Sequence, residues 1–182
     1  RVVNDLLAYG RPGEANLQNA EVRELFRQSS RVLEPIAKEA NVRFYTSGDS
    51  GLKLHIDPDQ VLQVLLNLGI NAIQACKVGG TVGLRAEQNE EWVEIRVTDD
   101  GAGIPKQHLL DVVQPFFTMK SKGTGLGLTI SQQRVEANQG TIHIESAPQE
   151  GTTITLKFPA TKSETSKEET SKNAPPDQDS DR

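Results

Sequence analysis

The run Asn67-Leu68-Gly69-Ile70-Asn71-Ala72, set inside residues 58–76, decides the fold. Around it Leu62, Leu65, Leu66, Leu68, Ile70 and Ile73 wrap almost the whole circumference of a helix, the pattern of a segment buried on most sides. Asp57 can cap that helix and Pro58 suits its first turn. Two carboxamides interrupt the apolar wrap, and Asn67 and Asn71, four residues apart, fall on one face. Buried carboxamides need partners. Either they bridge neighbouring core elements, or they offer oxygens to a cation such as Mg²⁺, which usually takes only one or two protein ligands and fills its octahedron with water and phosphate.

A helix this apolar must be covered, and the flanking sequence supplies the cover. Upstream, the spacing of Val22, Leu25, Phe26, Val32, Leu33 and Ile36 predicts a helix over 20–40. Strands are predicted at 42–45 and 52–56, separated by the turn Ser47-Gly48-Asp49-Ser50-Gly51. Downstream, 81–86 and 92–98 alternate apolar and polar residues around Gln88-Asn89-Glu90 and read as a hairpin. A short helix is predicted over 106–113. A glycine-rich stretch at 121–127 leads into a helix ending near Asn138-Gln139-Gly140, and a second hairpin joins 141–146 to 152–158. Helices and antiparallel pairs in this order predict an α+β fold, a two-layer α/β sandwich with helices on one face of a mixed, mostly antiparallel sheet.

The chain is organised in three parts. Residues 1–12 read as the end of a helix, stopped by Gly10 and Pro12-Gly13 and too short to stand alone. Residues 13–159 form the domain. Residues 160–182 carry no aliphatic side chain larger than alanine and are expected to be a disordered polar tail. The chain has 182 residues, 35% of them apolar, and its 15 glycines bring the total to roughly 43%, slightly below the usual 45–50%, as such a tail requires. A net charge of −5 argues against a nucleic-acid partner, and the single cysteine, Cys76, excludes an internal disulfide or a cysteine-built zinc site. Gln63, Asn67, Gly69 and Asn71 break the longest apolar run, so no transmembrane helix is expected. The chain starts at Arg1 and its sole methionine is Met119, from which a piece of a longer protein is expected.

Three further clusters carry chemistry. Asp99-Asp100-Gly101-Ala102-Gly103-Ile104 follows a predicted strand. It reads either as a tight turn or as a carboxylate aimed at a base edge, with glycines letting the backbone approach a flat ligand. Pro115-Phe116-Phe117-Thr118-Met119-Lys120 reads as a core aromatic pair or as the anchor of a flap. Gly123-Thr124-Gly125-Leu126-Gly127-Leu128 precedes a helix, where glycine-rich amides make an anion cradle. Its spacing fits neither the dinucleotide G-x-G-x-x-G pattern nor the P-loop.

In this order the four clusters resemble the N, G1, F and G2 boxes of bacterial sensor histidine kinases, whose catalytic domain belongs with the gyrase, Hsp90 and MutL-type ATPases. The resemblance runs from about residue 17 to 159 and takes in Asp57-Pro58-Asp59-Gln60 and the closing Gly151-Thr152-Thr153-Ile154. Pro115-Phe116-Phe117-Thr118 with Lys120 is most similar to the subgroup containing nitrogen-regulation kinases, and residues 1–12 resemble the end of the dimerisation and phosphoacceptor helix.

This resemblance implies a Bergerat-type ATP-binding fold. Asn71 would coordinate Mg²⁺, Asn67 would assist through the metal shell or a phosphate, and Asp99 would accept the adenine amine. Gly101, Gly103 and Ile104 would lie against the base, with Phe117 anchoring the lid. Thr124, Gly125, Leu126, Gly127 and Leu128 would meet the triphosphate, and Lys120 and Lys122 are the cationic candidates for its γ-phosphate. Hydrolytic relatives carry a glutamate four residues before the metal asparagine; Asn67 stands there, so transfer to a histidine is expected rather than hydrolysis. None of His55, His108 and His143 has the family's acceptor context, so this chain should bind ATP and ADP without phosphorylating itself. The implied partners are its own phosphoacceptor domain, a response-regulator receiver domain and a second copy in the intact protein. The implied location is cytoplasmic, with anchoring of the intact protein in the inner membrane left open.

Three places depart from the family pattern. Met119 replaces a threonine, Gln74 replaces a lysine used near the phosphates by some members, and Asn138-Gln139 replaces His-Gly at a helix end remote from the chemistry. An ATPase of the same superfamily, an anti-sigma serine kinase and a nucleotide-binding docking module are the alternatives.

Overall fold

A computed structural model describes residues 14–48, 50–89, 91–119 and 123–161. The predicted helix end before Gly10, Lys120 and Lys122, and the tail beyond residue 161 lie outside the described residues. In chain order the elements are β1 (Gln18–Glu21), α1 (Val22–Glu39), β2 (Arg43–Ser47), β3 (Lys53–Ile56), α2 (Pro58–Ala75), β4 (Thr81–Gln88), β5 (Trp92–Asp99), a 3-10 turn (Lys106–His108), α3 (Gly127–Ala137), β6 (Thr141–Ala147) and β7 (Gly151–Pro159).

The central helix forms where the sequence places it. The Asp57 carboxylate accepts the Asp59 and Gln60 amides at 3.1 and 3.0 Å, and Pro58 occupies the first turn. Asp57 also accepts the Asn16 amide at 3.0 Å, which ties the segment before β1 to this cap. Replacing Asp57 with Ala is expected to lower unfolding stability by about 1 kcal/mol, measured by urea denaturation.

Five strands in the order β2-β4-β5-β7-β6 make the main sheet, with β2 parallel to β4 and every other pair antiparallel. The helices lie on one face, α2 across β4, β5 and β7, α1 beside β2 and α3 beside β6. Val61, Val64, Leu65, Leu68, Ala72 and Ile73 of α2 are buried among Val82, Leu84, Val93, Ile95, Val97 and Leu156 of the sheet. This is the predicted two-layer sandwich. Where α1 crosses α2, Leu33 lies so close that a Cβ on Gly69 would sit 2.5 Å from its Cδ1, so the glycine sets the interhelical distance. Among the described residues no helix covers the other face of the sheet. There Glu94 is flanked by Arg96 at 2.6 Å and Lys157 at 2.8 Å, and its carboxyl is held below the usual range chiefly by Lys157.

The structure differs from the sequence expectations in several places. Residues Ala20 and Glu21, expected in a helix, belong to β1, which pairs antiparallel with β3 in a separate two-stranded sheet. β1 is short and polar and owes its strand state to that pairing. The two strands predicted on either side of the Gly48 turn both form but lie in different sheets: β2 joins the main sheet through Arg43↔Thr81 and the following residues, and β3 pairs with β1. Val32 is 42% exposed, and the buried face of α1 is completed instead by Ser29 and Ala37. The helix expected over 106–113 is only the 3-10 turn at Lys106–His108 followed by turns. Leu110 is 82% exposed, while Leu109, Val112 and Val113 are half-buried on successive turns rather than on a regular helix.

Candidate nucleotide-binding site

The cleft exists because α3 is shorter than α2. Asn138, just past the end of α3, is 1% exposed and joins it to the start of α2: its Oδ1 accepts the Asp57 amide at 2.6 Å, and its Nδ2 donates to Gln60 Oε1 at 3.1 Å. At the other end Gly127 meets Asn67, whose Nδ2 donates to Ser131 Oγ at 2.9 Å. The two helices therefore run antiparallel. An 11-residue helix, rising about 1.5 Å per residue, covers α2 from Asp57 only as far as Asn67. The last two turns of α2, with Asn71 and Gln74, are left to form a wall.

A cleft of about 650 Å³ opens there, lined by Asn67, Asn71, Asp99, Gly103, Ile104, Phe117, Thr124, Gly125, Gly127 and Leu128 among others. That volume falls within the usual range for small-molecule sites. Ten sequence-predicted site residues are thus brought together from α2, the end of β5, the turn after it, the aromatic segment and the start of α3. Asp99 pairs with Val82 and Thr152 at the ends of β4 and β7, and its Oδ1 accepts the Gly101 amide at 2.9 Å, which orients the carboxylate. It is the only ionisable side chain among the described lining residues.

Two predicted residues stand behind the wall. Gly101 is buried, and a Cβ there would lie 2.5 Å from the Ala75 carbonyl oxygen, so the end of α2 rather than a ligand demands the glycine. Leu126 is 1% exposed, its side chain in the interior and its carbonyl accepting the Ile130 amide at 2.9 Å. Gly103, with φ +66°, passes beneath Ala147, whose carbonyl oxygen would be 1.9 Å from a Cβ.

Leu126, the residue before α3, makes no side-chain cap hydrogen bond. Gly127 and Leu128, the first residues of the helix, line the cleft, and the amides of a helix start carry its positive end, a natural seat for an anion. The aromatic segment is not core. Phe116 is 62% exposed with φ +68°, and its amide donates to the Gly125 carbonyl at 3.0 Å. Gly125, itself at φ +68°, would bring a Cβ within 2.3 Å of the Phe116 carbonyl carbon. That clasp joins the aromatic segment to the residues just before α3, and Thr129 Oγ1 donating to Val113 O at 3.1 Å ties the preceding turn to α3. Phe117 lines the cleft and packs on the His108 ring at 5.4 Å between centroids.

Sequence reasoning missed Asn138, Ser131 and the Phe116–Gly125 clasp. Asn138, read as remote, positions the whole of α3. Only the helical spacing of Gly127 and Ser131, one turn apart, hinted that Ser131 could reach the same neighbour.

Cys76 ends α2 behind Asp99, its Sγ 3.6 Å from Asp100 Oδ1. Burial first, and then the Asp99 and Asp100 charges, push its thiol up to about 11. Because the folded state holds this proton longer than the unfolded chain, the associated stability is complete below about pH 8.5 and is lost as pH rises through the folded value. Alkylation by iodoacetamide at pH 8 should be on the order of a hundredfold slower than for a free thiol and should accelerate on unfolding in urea.

Among the described residues no three His, Cys, Asp or Glu side chains cluster as a metal site. Side-chain oxygens that line the cleft include the carboxamides of Asn67 and Asn71 on α2. That set suits magnesium carried in by a polyphosphate, which needs only one or two protein ligands, and does not suit a free ion. No helix among the described residues is long and apolar enough to cross a membrane.

The profile of histidine kinase-, DNA gyrase B- and HSP90-like ATPases matches residues 56–162, the stretch that contains α2, the cleft and the closing hairpin. The chain belongs to this family. It is 37% identical over 160 residues to the sensor histidine kinase ZraS of Escherichia coli K12, a match covering 87% of this chain and 34% of that one. The chain thus spans about a third of the length of that curated relative. The fold is similar to the catalytic domain of the histidine kinase ThkA, with a TM-score of 0.71 at 29% identity over 80% of this chain and 96% of that one. It is also similar to ThkA solved in complex with the response regulator TrrA, with a TM-score of 0.75 at 26% identity over 88% and 46% of the two chains. The resemblance to the catalytic ATP-binding domain of histidine kinases is therefore borne out in both sequence and fold.

Proposed function

We propose that this chain binds ATP with Mg²⁺ and delivers the γ-phosphoryl group to a histidine on a dimerisation domain outside it, as the catalytic part of a two-component kinase. The observation that carries the reading is a nucleotide-sized cleft lined by one carboxylate, Asp99, the carboxamides of Asn67, Asn71 and Gln74, and the first residues of α3. Asp99 accepts the base amine. Guanine would present an acceptor at the same place and be rejected. The α3 amides receive the phosphates, and Asn71, assisted by Asn67, offers oxygen to the metal. Bound magnesium supplies neutralisation of phosphate charge, the chief demand of phosphoryl transfer along with positioning. Asn67 donates to Ser131 and is no base, and Asp99 is engaged by Gly101. The site thus holds its phosphoryl group for an incoming nucleophile in preference to water. Lys120 and Lys122 remain the cationic candidates for the γ-phosphate, in the stretch between Phe116 and Gly125.

The partners that follow are the phosphoacceptor domain, a second copy of the intact protein, and a receiver domain of the kind TrrA represents for ThkA. Membership of the nitrogen-regulation subgroup rests on the Pro115-Phe116-Phe117-Thr118 segment with Lys120. The test mixes this chain with the separately produced dimerisation domain and γ-labelled ATP. Acid-labile label on that domain's histidine, none on this chain alone and slow phosphate release are expected. Acid-stable label would point to a serine kinase, and rapid phosphate release without transfer to an ATPase; either result overturns the proposal.

A further inference from the structure

Ser131 is 2% exposed on α3, and its hydroxyl oxygen lies 2.9 Å from both the Gly127 carbonyl oxygen and Asn67 Nδ2. A hydroxyl has one proton to give. The Gly127 carbonyl can only accept, so the proton goes there, as serine hydroxyls in helices commonly donate one turn back. Oγ is then an acceptor toward Asn67, and the Asn67 atom facing it must be the amide nitrogen. This distinguishes the two ends of a carboxamide that would otherwise be free to turn over. Gly127 marks the other limit: a Cβ there would sit 2.7 Å from Asn67 Oδ1, so the missing side chain leaves the space this orientation occupies. Asn67 is among the residues lining the cleft, and its nitrogen is committed to Ser131 on α3.

We infer that Ser131 is a positioning residue that locks the Asn67 carboxamide oxygen-outward, making Asn67 an acceptor toward the cation shell rather than a donor to phosphate. This rests on the reading of the cleft as a magnesium–nucleotide site. Loss of the hydroxyl leaves the amide free to present its N–H instead, which opposes a cation and attracts a bare phosphate. The effect therefore appears in the magnesium dependence of binding rather than in binding as such.

The experiment titrates the whole 182-residue chain with the imido analogue of ATP, once with saturating Mg²⁺ and once with EDTA. Ser131→Ala is expected to weaken binding about tenfold in Mg²⁺, in line with the loss of other partners that orient metal ligands, and less than twofold in EDTA. Ser131→Thr, which keeps the hydroxyl, should restore the wild-type ratio. In nitrogen-labelled protein, the Asn67 side-chain amide resonances should shift in the alanine variant while the thermal midpoint stays within a few degrees. An unchanged ratio for Ser131→Ala, with Asn67→Ala still losing the magnesium enhancement, overturns the positioning role and leaves the site reading intact. No magnesium enhancement in the wild-type chain overturns both.

Discussion

Asp99→Asn is expected to reduce ATP affinity by at least a hundredfold without unfolding the protein. One carboxylate oxygen already accepts the Gly101 amide at 2.9 Å, and an asparagine oxygen can do the same, so the turn survives. The second oxygen becomes an NH₂ group. An acceptor facing the adenine amine is thereby replaced by a donor, and a charge-assisted bond worth about 2–3 kcal/mol gives way to two opposed donors. The same change removes the repulsion against guanine, whose exocyclic carbonyl oxygen would then meet a donor. Titration of Asp99→Asn with ATP and GTP in parallel should show the adenine preference collapsing or reversing, with an unchanged far-ultraviolet circular dichroism spectrum. Retention of wild-type ATP affinity would remove Asp99 from base recognition.

Asn71→Ala is expected to lower magnesium-dependent phosphoryl transfer to the separately supplied dimerisation domain by about a thousandfold, the scale on which losing several kcal/mol of transition-state charge stabilisation acts. Asn71 lines the cleft on the part of α2 that α3 leaves bare, one turn beyond Asn67. Affinity for the metal-free analogue should change little, because the base site and the α3 amides are untouched. The measurement is single-turnover labelling at several Mg²⁺ concentrations, with metal-free binding as the control. Equal labelling by the variant and the wild type would displace the metal from Asn71.

The two experiments separate the halves of the site. On the proposed function, Asp99 would act on which nucleotide enters, through hydrogen-bond polarity at the end of β5, and Asn71 on what happens to the phosphates, through oxygen donation on α2. A loss of folding would make both variants fail together and would be visible in their thermal midpoints.

The α2 helix, its Asp57 cap and the two hairpins were legible in the sequence because each is specified locally, by apolar period, capping chemistry or alternation. The cleft residues Asn67, Asn71, Asp99 and Gly127 were legible because their types and order are rare together. Where neighbours outside the segment decide, sequence reading failed. β1 is a strand only because β3 pairs with it, and Gln18–Glu21 has no apolar alternation of its own. The 106–113 segment is regular only over the Lys106–His108 turn, and beyond it successive turns are held by contacts from elsewhere, such as Thr129 Oγ1 on the Val113 carbonyl. Phe116 and Phe117 are apolar enough for a core, yet the Gly125 clasp turns one outward and sets the other against the cleft.

The sequence by itself determined the layered fold and most of the groups that line the cleft, since burial period and hydrogen-bonding chemistry are properties of the residues. Only the tertiary structure decided which of two glycines faces the cleft, that Asn138 anchors α3, and which end of the Asn67 carboxamide is committed to α3. Those choices depend on atoms from segments far apart in the chain: the Ala75 carbonyl behind Gly101, the Asp57 amide under Asn138 and the Ser131 hydroxyl beside Asn67. A hydrogen bond has a direction, and that direction is fixed only when both partners are in place.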